Sequence, residues 1–295
     1  MNSSANLSQK KAIEHFDGPV LIIAGPGSGK TFTLVERVVA LIEAGKATAE
    51  TLLVVTFTEK AAQELTTRIS NRLLSAGLSF NVNEMYIGTF HSLCLRVLKD
   101  HSEFTRLKRS FNLLDQFDQQ YFLYQRLKEF KGIDGITELI GEDRSGRWYQ
   151  STQLLKWLNK VTEETLDIKA LKGSEHASLQ ALAECFATYQ RLLEEANTLD
   201  FSGIQFEALR LLRDNPGVLE SLKSKFSHLM VDEYQDTNTI QEQILFLLAG
   251  DTKNLCVVGD DDQGLYRFRG ATIRNILEYP SNFAKGECEQ VSLTV

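Results

Sequence analysis

Short apolar runs alternate with amphipathic stretches along the first third of the chain. Val20-Leu21-Ile22-Ile23 precedes a helical pattern through Leu34, Val38 and Leu41-Ile42, and Leu52-Leu53-Val54-Val55 precedes another through Ala61, Leu65 and Ile69. A third run, Met85-Tyr86-Ile87, follows the loop around Asn81–Asn83, with a further helix expected after Thr89. Short apolar runs of strand length, separated by segments of helical period, read as strands alternating with helices. The alternation therefore predicts βαβ units and a parallel sheet.

The texture changes near Leu93. From there to Asn197 the chain is rich in Leu, Gln, Glu and Lys and shows no convincing strand; Leu113–Phe130, Thr152–Thr162 and Ala177–Glu195 read as helices separated by Gly-containing breaks. Strand texture returns at Ser227–Val231 and Asn254–Val258, with a helix through Ile240–Leu248 between them. The expected organisation is an α/β domain in two parts, 1–92 and 198–295, interrupted by an all-helical inserted subdomain over 93–197. Residues Glu289–Val295 read as one more strand that stops without a turn or cap, so the chain is expected to be cut there.

Composition narrows the class without identifying it. The 295 residues include 43% hydrophobic and 24% charged positions, ample for a core and unlike a disordered chain. The longest apolar stretch, around Val20–Ala24, is far short of a membrane span, and the N-terminus has no apolar signal region, which predicts a cytoplasmic protein without a membrane partner. Cys94, Cys185, Cys256 and Cys288 form no CxxC pair and lie in apolar surroundings that read as core, so no metal site is expected from them. With 32 basic against 39 acidic residues the net charge is −7, so any nucleic acid must be bound in a local groove.

The strongest chemical signal follows the first strand. Ala24-Gly25-Pro26-Gly27-Ser28-Gly29-Lys30-Thr31 opens a helix, the setting in which glycines let several backbone N–H groups converge on a polyphosphate. Lys30 supplies a point charge for the β- and γ-phosphates and Thr31 a hydroxyl for Mg²⁺. The strict pattern begins with Gly, where this chain has Ala24. A nucleotide site also needs carboxylates at a neighbouring strand end. Asp232-Glu233 follows the Ser227–Val231 run: Asp232 would hold the Mg²⁺ shell and Glu233 would orient or deprotonate a water, the alternative being a solvated turn. A further polar strand end, Gly259-Asp260-Asp261-Asp262-Gln263, offers Gln263 as a neutral group to sense a γ-phosphate. The aspartates before it are either near a metal or simply exposed, and exposure is the favoured reading for Asp261 and Asp262.

Aromatic residues at two strand ends suit a nucleic acid. Phe57 lies in Thr56-Phe57-Thr58-Glu59-Lys60, and Tyr266-Arg267-Phe268-Arg269 lies just past Gln263, so rings for base stacking sit beside groups for phosphates. Core packing is the alternative for Phe57 and Phe268. In Gly88-Thr89-Phe90-His91-Ser92, Thr89 and Ser92 can cap the next helix while its N–H groups meet a backbone phosphate, and His91 reads as a structural histidine. The run Arg106-Leu107-Lys108-Arg109 could touch duplex or strand phosphates, but a solvated basic face is the favoured reading.

Taken in order, Asn6…Gln9, Ala24–Thr31, Thr56–Ala62, Gly88–Ser92, Leu199-Asp200-Phe201, Val231–Asn238 and Val258–Ala271 resemble the helicase motifs of UvrD/Rep/PcrA-type superfamily 1 DNA helicases. The resemblance spans nearly the whole chain except the helical insertion. It implies a RecA-like P-loop NTPase domain that hydrolyses ATP with Mg²⁺ and moves 3′→5′ on single-stranded DNA, or at a single/double-strand junction. It also implies that Gln9 reads adenine, that the loop from Ala24 to Thr31 and Phe32 hold the nucleotide, and that Asp232, Glu233 and Gln263 serve the reaction. Phe57, Tyr266 and Phe268 would then meet bases, and Thr89 and Arg269 the DNA backbone. Phe32 stands where these helicases often have Arg, and Phe268 where many have Trp. In the family a second RecA-like domain supplies further arginines, so a chain ending here is expected to bind nucleotide but to turn it over poorly. The competing reading is a nucleotide-dependent DNA- or protein-binding module without productive hydrolysis; an RNA-directed ATPase is the weaker third.

Overall fold

The computed structural model describes residues 5–78, 81, 84–108, 110–260 and 273–293, arranged in two compact units: 1–93 with 212–295, and 94–211. The first unit is built on a six-stranded sheet. Its strands are β1 (Val20–Ala24), β2 (Leu52–Thr56), β3 (Tyr86–Thr89), β6 (His228–Val231), β7 (Leu255–Gly259) and β8 (Glu289–Leu293), in the spatial order β3-β2-β6-β7-β1-β8. Every pairing is parallel. Both faces of the central strands are buried, which explains why their sequences are apolar throughout instead of alternating. On one face Ile22, Val54, Met230 and Val258 meet helix α2 (Lys30–Glu43) through Leu34 and Val38, and helix α3 (Glu59–Ser75) through Leu65 and Ile69. Helix α12 (Thr239–Ala249), opened by a capping box between Asn238 and Gln241, packs on β6.

Helix α1 (Leu7–Glu14) is fastened to this unit by a buried charge. Arg37 of α2 is almost fully buried, and its guanidinium donates to the carbonyls of Ala12, at 2.7 Å, and of His15. The helix itself begins with a capping box: the Gln9 N–H donates to Asn6 Oδ1 (2.8 Å) and the Asn6 N–H to Gln9 Oε1 (3.0 Å).

The second unit is mostly helical, around α5 (Gln116–Arg126), α7 (Arg147–Glu163) and α9 (Ala177–Glu195), whose Phe122, Leu123, Leu154, Leu158, Cys185 and Phe186 share one core. It also holds a parallel strand pair, β4 (Asn112–Leu114) with β5 (Thr198–Asp200); β4 lies in the segment expected to be wholly helical, and β5 just past its expected end at 197. The helix expected from Leu113 starts only at Gln116, because Asp115 stays extended and accepts from the Asp118 N–H as its N-cap. The basic run is corrected at Arg106, while Lys108 is exposed as expected and Arg109 lies outside the described residues. The Arg106 side chain is only 9% exposed: its Nε donates to Glu207 Oε1 at 2.7 Å, and Arg210 reaches the other Glu207 oxygen at 2.9 Å. Cys94, Cys185 and Cys256 are buried as expected, but Cys288 is only half-buried, with its thiol pushed up to about 11, chiefly by burial. Among the described residues no helix is long and apolar enough to cross a membrane.

Candidate nucleotide and DNA site

An all-parallel sheet places the C-terminal ends of all its strands along one edge, where the following loops are free to carry chemistry. The strand order then divides that edge. β1, β7 and β6 deliver the phosphate loop, Asp260 and Asp232-Glu233; β2 and β3 deliver Phe57 and Thr89. β6 is the shared neighbour of the two groups, and the Asp232 N–H donates to the Val55 carbonyl of β2 at 2.9 Å.

The loop after β1 turns on two glycines in the left-handed region, Gly27 (φ +78°) and Gly29 (φ +89°), which presents the N-terminus of α2. Ser28 is buried and its hydroxyl donates to the Gly25 carbonyl at 2.6 Å. Ala24 replaces the motif's first glycine at no cost, because it is the last residue of β1 and its methyl group lies in the core. Gln9 Nε2 donates to the Ser28 carbonyl at 3.2 Å, so the residue singled out for adenine reaches the phosphate loop from α1. A side chain at position 29 would come within 2.7 Å of that same amide. Thr31 and Phe32 are half-buried in the first turn of α2.

Lys30 extends from this turn across the sheet edge. Its Nζ lies 3.4 Å from Glu233 Oε2 and 3.7 Å from Asp260 Oδ2. Since β7 separates β1 from β6, this spans about two strand spacings, roughly 10 Å, a distance a lysine can bridge. Glu233 sits in the left-handed region (φ +53°), uncommon for a residue with a side chain, directly before the short turn Tyr234–Asp236. Its N–H donates to Asp232 Oδ1 at 3.0 Å. Gln235 joins two strand ends: its Nε2 donates to Glu233 Oε2 (2.7 Å), and its Oε1 accepts from the Asp260 N–H (3.0 Å). Burial pushes the Asp232 carboxyl up to about 6, with the Glu233 charge adding to it and the Glu233 N–H and Lys30 opposing.

Two of these partners were missed from sequence. Asp260 is left open in sequence between a place near a metal and exposure, and Gln235, though inside the Val231–Asn238 motif, carries no signal of its own role. On the other part of the edge, Phe57 is half-buried and packs edge-to-face on Phe90 with ring centroids 5.7 Å apart. Thr89 is buried; its hydroxyl donates to Glu59 Oε1 (3.1 Å) and accepts from the Ser92 N–H (3.2 Å), the expected cap of helix α4 (Phe90–Asp100). Gln263, Tyr266, Phe268 and Arg269, like Asp261 and Asp262, lie outside the described residues.

A parallel sheet with a glycine loop after β1 and carboxylates at the ends of β6 and β7 defines a RecA-like P-loop NTPase domain. The chain belongs to the UvrD/REP helicase N-terminal domain family, whose model matches residues 5–284. Similar proteins include the ATP-dependent DNA helicase PcrA of Bacillus subtilis, 34% identical over 285 residues, covering 95% of this chain and 36% of that protein. PcrA of Staphylococcus aureus is 32% identical over 279 residues (94% and 36%) and that of Staphylococcus epidermidis 31% over 283 (96% and 36%). The chain thus spans about a third of the length of these relatives.

Proposed function

We propose that the chain is the ATP- and DNA-binding first motor half of a DNA helicase or translocase that moves 3′→5′ along single-stranded DNA, over 1–92 and 198–295, with 93–197 as its inserted subdomain. The observation that carries this reading is the convergence of Lys30 with Glu233 and Asp260 beside buried Asp232. Lys30 and the N–H groups opening α2 would bind the phosphates. Arrival of a γ-phosphate would draw Lys30 from Glu233, leaving that carboxylate held by Gln235 and able to orient and deprotonate water. Gln9 would trade its contact with Ser28 for adenine.

The donors suit Mg²⁺. Asp232 and Thr31 are hard oxygen ligands, and among the described residues no group of three or more His, Cys, Asp or Glu could enclose a metal. Two protein oxygens completed by phosphates and water is how Mg²⁺ is usually held. When bound, it would neutralise charge on the transferring phosphoryl group. For DNA, Phe57 would offer a stacking face, Thr89 and α4 a backbone contact, and Tyr266, Phe268 and Arg269 further contacts, with Gln263 reporting the γ-phosphate to them. Slow hydrolysis by this chain alone is part of the proposal, because in the family a second RecA-like domain supplies arginines that speed the reaction. The test is ATPase activity with and without single-stranded DNA, with binding of a fluorescent ATP analogue as the second readout. Lys30→Ala should abolish binding; unchanged affinity would refute the phosphate-loop assignment.

A further inference from the structure

The second unit carries a row of solvent-facing rings that its core does not use. Phe117 and Tyr121 of α5 and Trp148 of α7 are 63%, 45% and 45% exposed, and Tyr124 is half-exposed. Positions 117, 121 and 124 share one helix face. The planes of Phe117 and Tyr121 lie 5° apart with centroids at 6.3 Å, and those of Tyr121 and Tyr124 lie 13° apart at 6.2 Å. Trp148 completes the row, 6.0 Å from Phe117 and 5.6 Å from Tyr124. Other residues hold the two helices together: Phe122 and Leu123 of α5 and Leu154 and Leu155 of α7 fill the core, and Gln120 Nε2 donates to Thr152 Oγ1 at 2.7 Å. Contiguous exposed rings of this kind mark a binding surface.

The charge beside the rings selects the partner. Arg147 is exposed, lies 4.6 Å over the Tyr124 ring and donates to the Tyr124 carbonyl at 2.9 Å, so its position is fixed. Lys156 is exposed two turns along α7, on the face that carries Trp148 and Thr152. The acids nearest in sequence are Asp115, turned onto the Asp118 N–H as a cap, and Asp118, which sits to one side of the ring stripe. Flat π-faces flanked by cations match a polyanion whose units are themselves flat. Only unpaired bases present such faces, since a duplex stacks its own.

We propose that Phe117, Tyr121, Tyr124 and Trp148, with Arg147 and Lys156, form a stacking platform for single-stranded nucleic acid, built from none of the residues assigned to DNA at the sheet edge of the first unit. The probe is a fluorescein-labelled oligothymidine carrying 5-iododeoxyuridine, added to the full chain at low salt without nucleotide. Photocrosslinks should fall on the peptides holding Tyr121 and Trp148, and should persist in Phe57→Ala, which tests the sheet edge alone. Tyr121→Ala with Trp148→Ala should abolish those crosslinks and weaken binding about ten- to a hundred-fold. Arg147→Gln with Lys156→Gln, which leaves both rings in place, should lower the slope of log affinity against log salt by about 1.4. Crosslinks confined to other segments, or equal affinity of the ring variant and the wild type, would overturn the platform. So would sedimentation showing that the rings join two copies of the chain while oligonucleotide affinity stays unchanged in the ring variant.

Discussion

Asp232→Asn should make the first unit more stable while disabling its candidate metal site. Asp232 is 7% exposed, and its carboxyl is raised from 3.8 to about 6, first by burial and then by the Glu233 charge. A carboxylate raised on folding binds protons more tightly in the native state, so it destabilises the fold above about pH 6 and that cost fades as pH falls towards 4. At about 1.4 kcal/mol per pH unit the cost is about 3 kcal/mol at pH 8 and about 1.5 kcal/mol at pH 5. Asparagine is uncharged, keeps an oxygen for the Glu233 N–H and is nearly isosteric, so most of that energy should reappear as stability. Some is lost with the attraction to Lys30. For a unit of this size 1 kcal/mol corresponds to about 2–4 °C. Thermal melts in EDTA should therefore show the variant several degrees above the wild type at pH 8, with the gap roughly halved at pH 5. Adding Mg²⁺ and ATP should raise the wild-type melting temperature and leave the variant almost unmoved. A gap independent of pH, or a variant less stable than the wild type at pH 8, would refute the buried-charge argument.

Other substitutions separate the remaining roles. Glu233→Gln should leave binding of a fluorescent ATP analogue intact and remove residual hydrolysis; equal turnover in both proteins would deny Glu233 the role of base. Phe57→Ala should weaken single-strand affinity by about 1–3 kcal/mol in a titration, and no change would return the ring to packing on Phe90. Glu207→Leu should cost about 3–5 kcal/mol in urea unfolding by stranding buried Arg106, and Arg106→Met in the same chain should recover most of it. Absence of recovery would mean that the pair is not energetically coupled.

The parts of this site that can be read from sequence are those carried by one contiguous stretch. The phosphate loop from Ala24 to Thr31 announces itself because strand, glycines, lysine and helix are neighbours in the chain, and the sheet follows from its unbroken apolar runs. Asp232-Glu233 is visible as a polar strand end. What holds these groups is less visible. Gln235 bridges Glu233 and Asp260 only because β6 and β7 are adjacent, and strand order leaves no local trace. The link from Gln9 to Ser28 was half-readable, since Asn6-x-x-Gln9 is a capping-box pattern that fixes where α1 begins. The buried state of Arg106 was misjudged because its partner Glu207 lies a hundred residues away, and β4 escaped notice because three residues, two of them exposed, carry too little hydrophobic pattern.

The position of β1 in the sheet also bears on how the protein is made. Its two neighbours are β7 and β8, which begin at Leu255 and Glu289, so both edges of this apolar strand lack their partners until more than two hundred further residues have been synthesised. At about 5–20 residues per second, Val20–Ala24 leaves the ribosome some 10–50 s before either partner exists. Throughout that interval the strand that will carry the phosphate loop is an open template for wrong pairing. A nascent chain of this kind should bind a chaperone early through β1 and release it only when β7 has emerged, which makes Leu255–Gly259 the segment whose synthesis commits the nucleotide site to its final form.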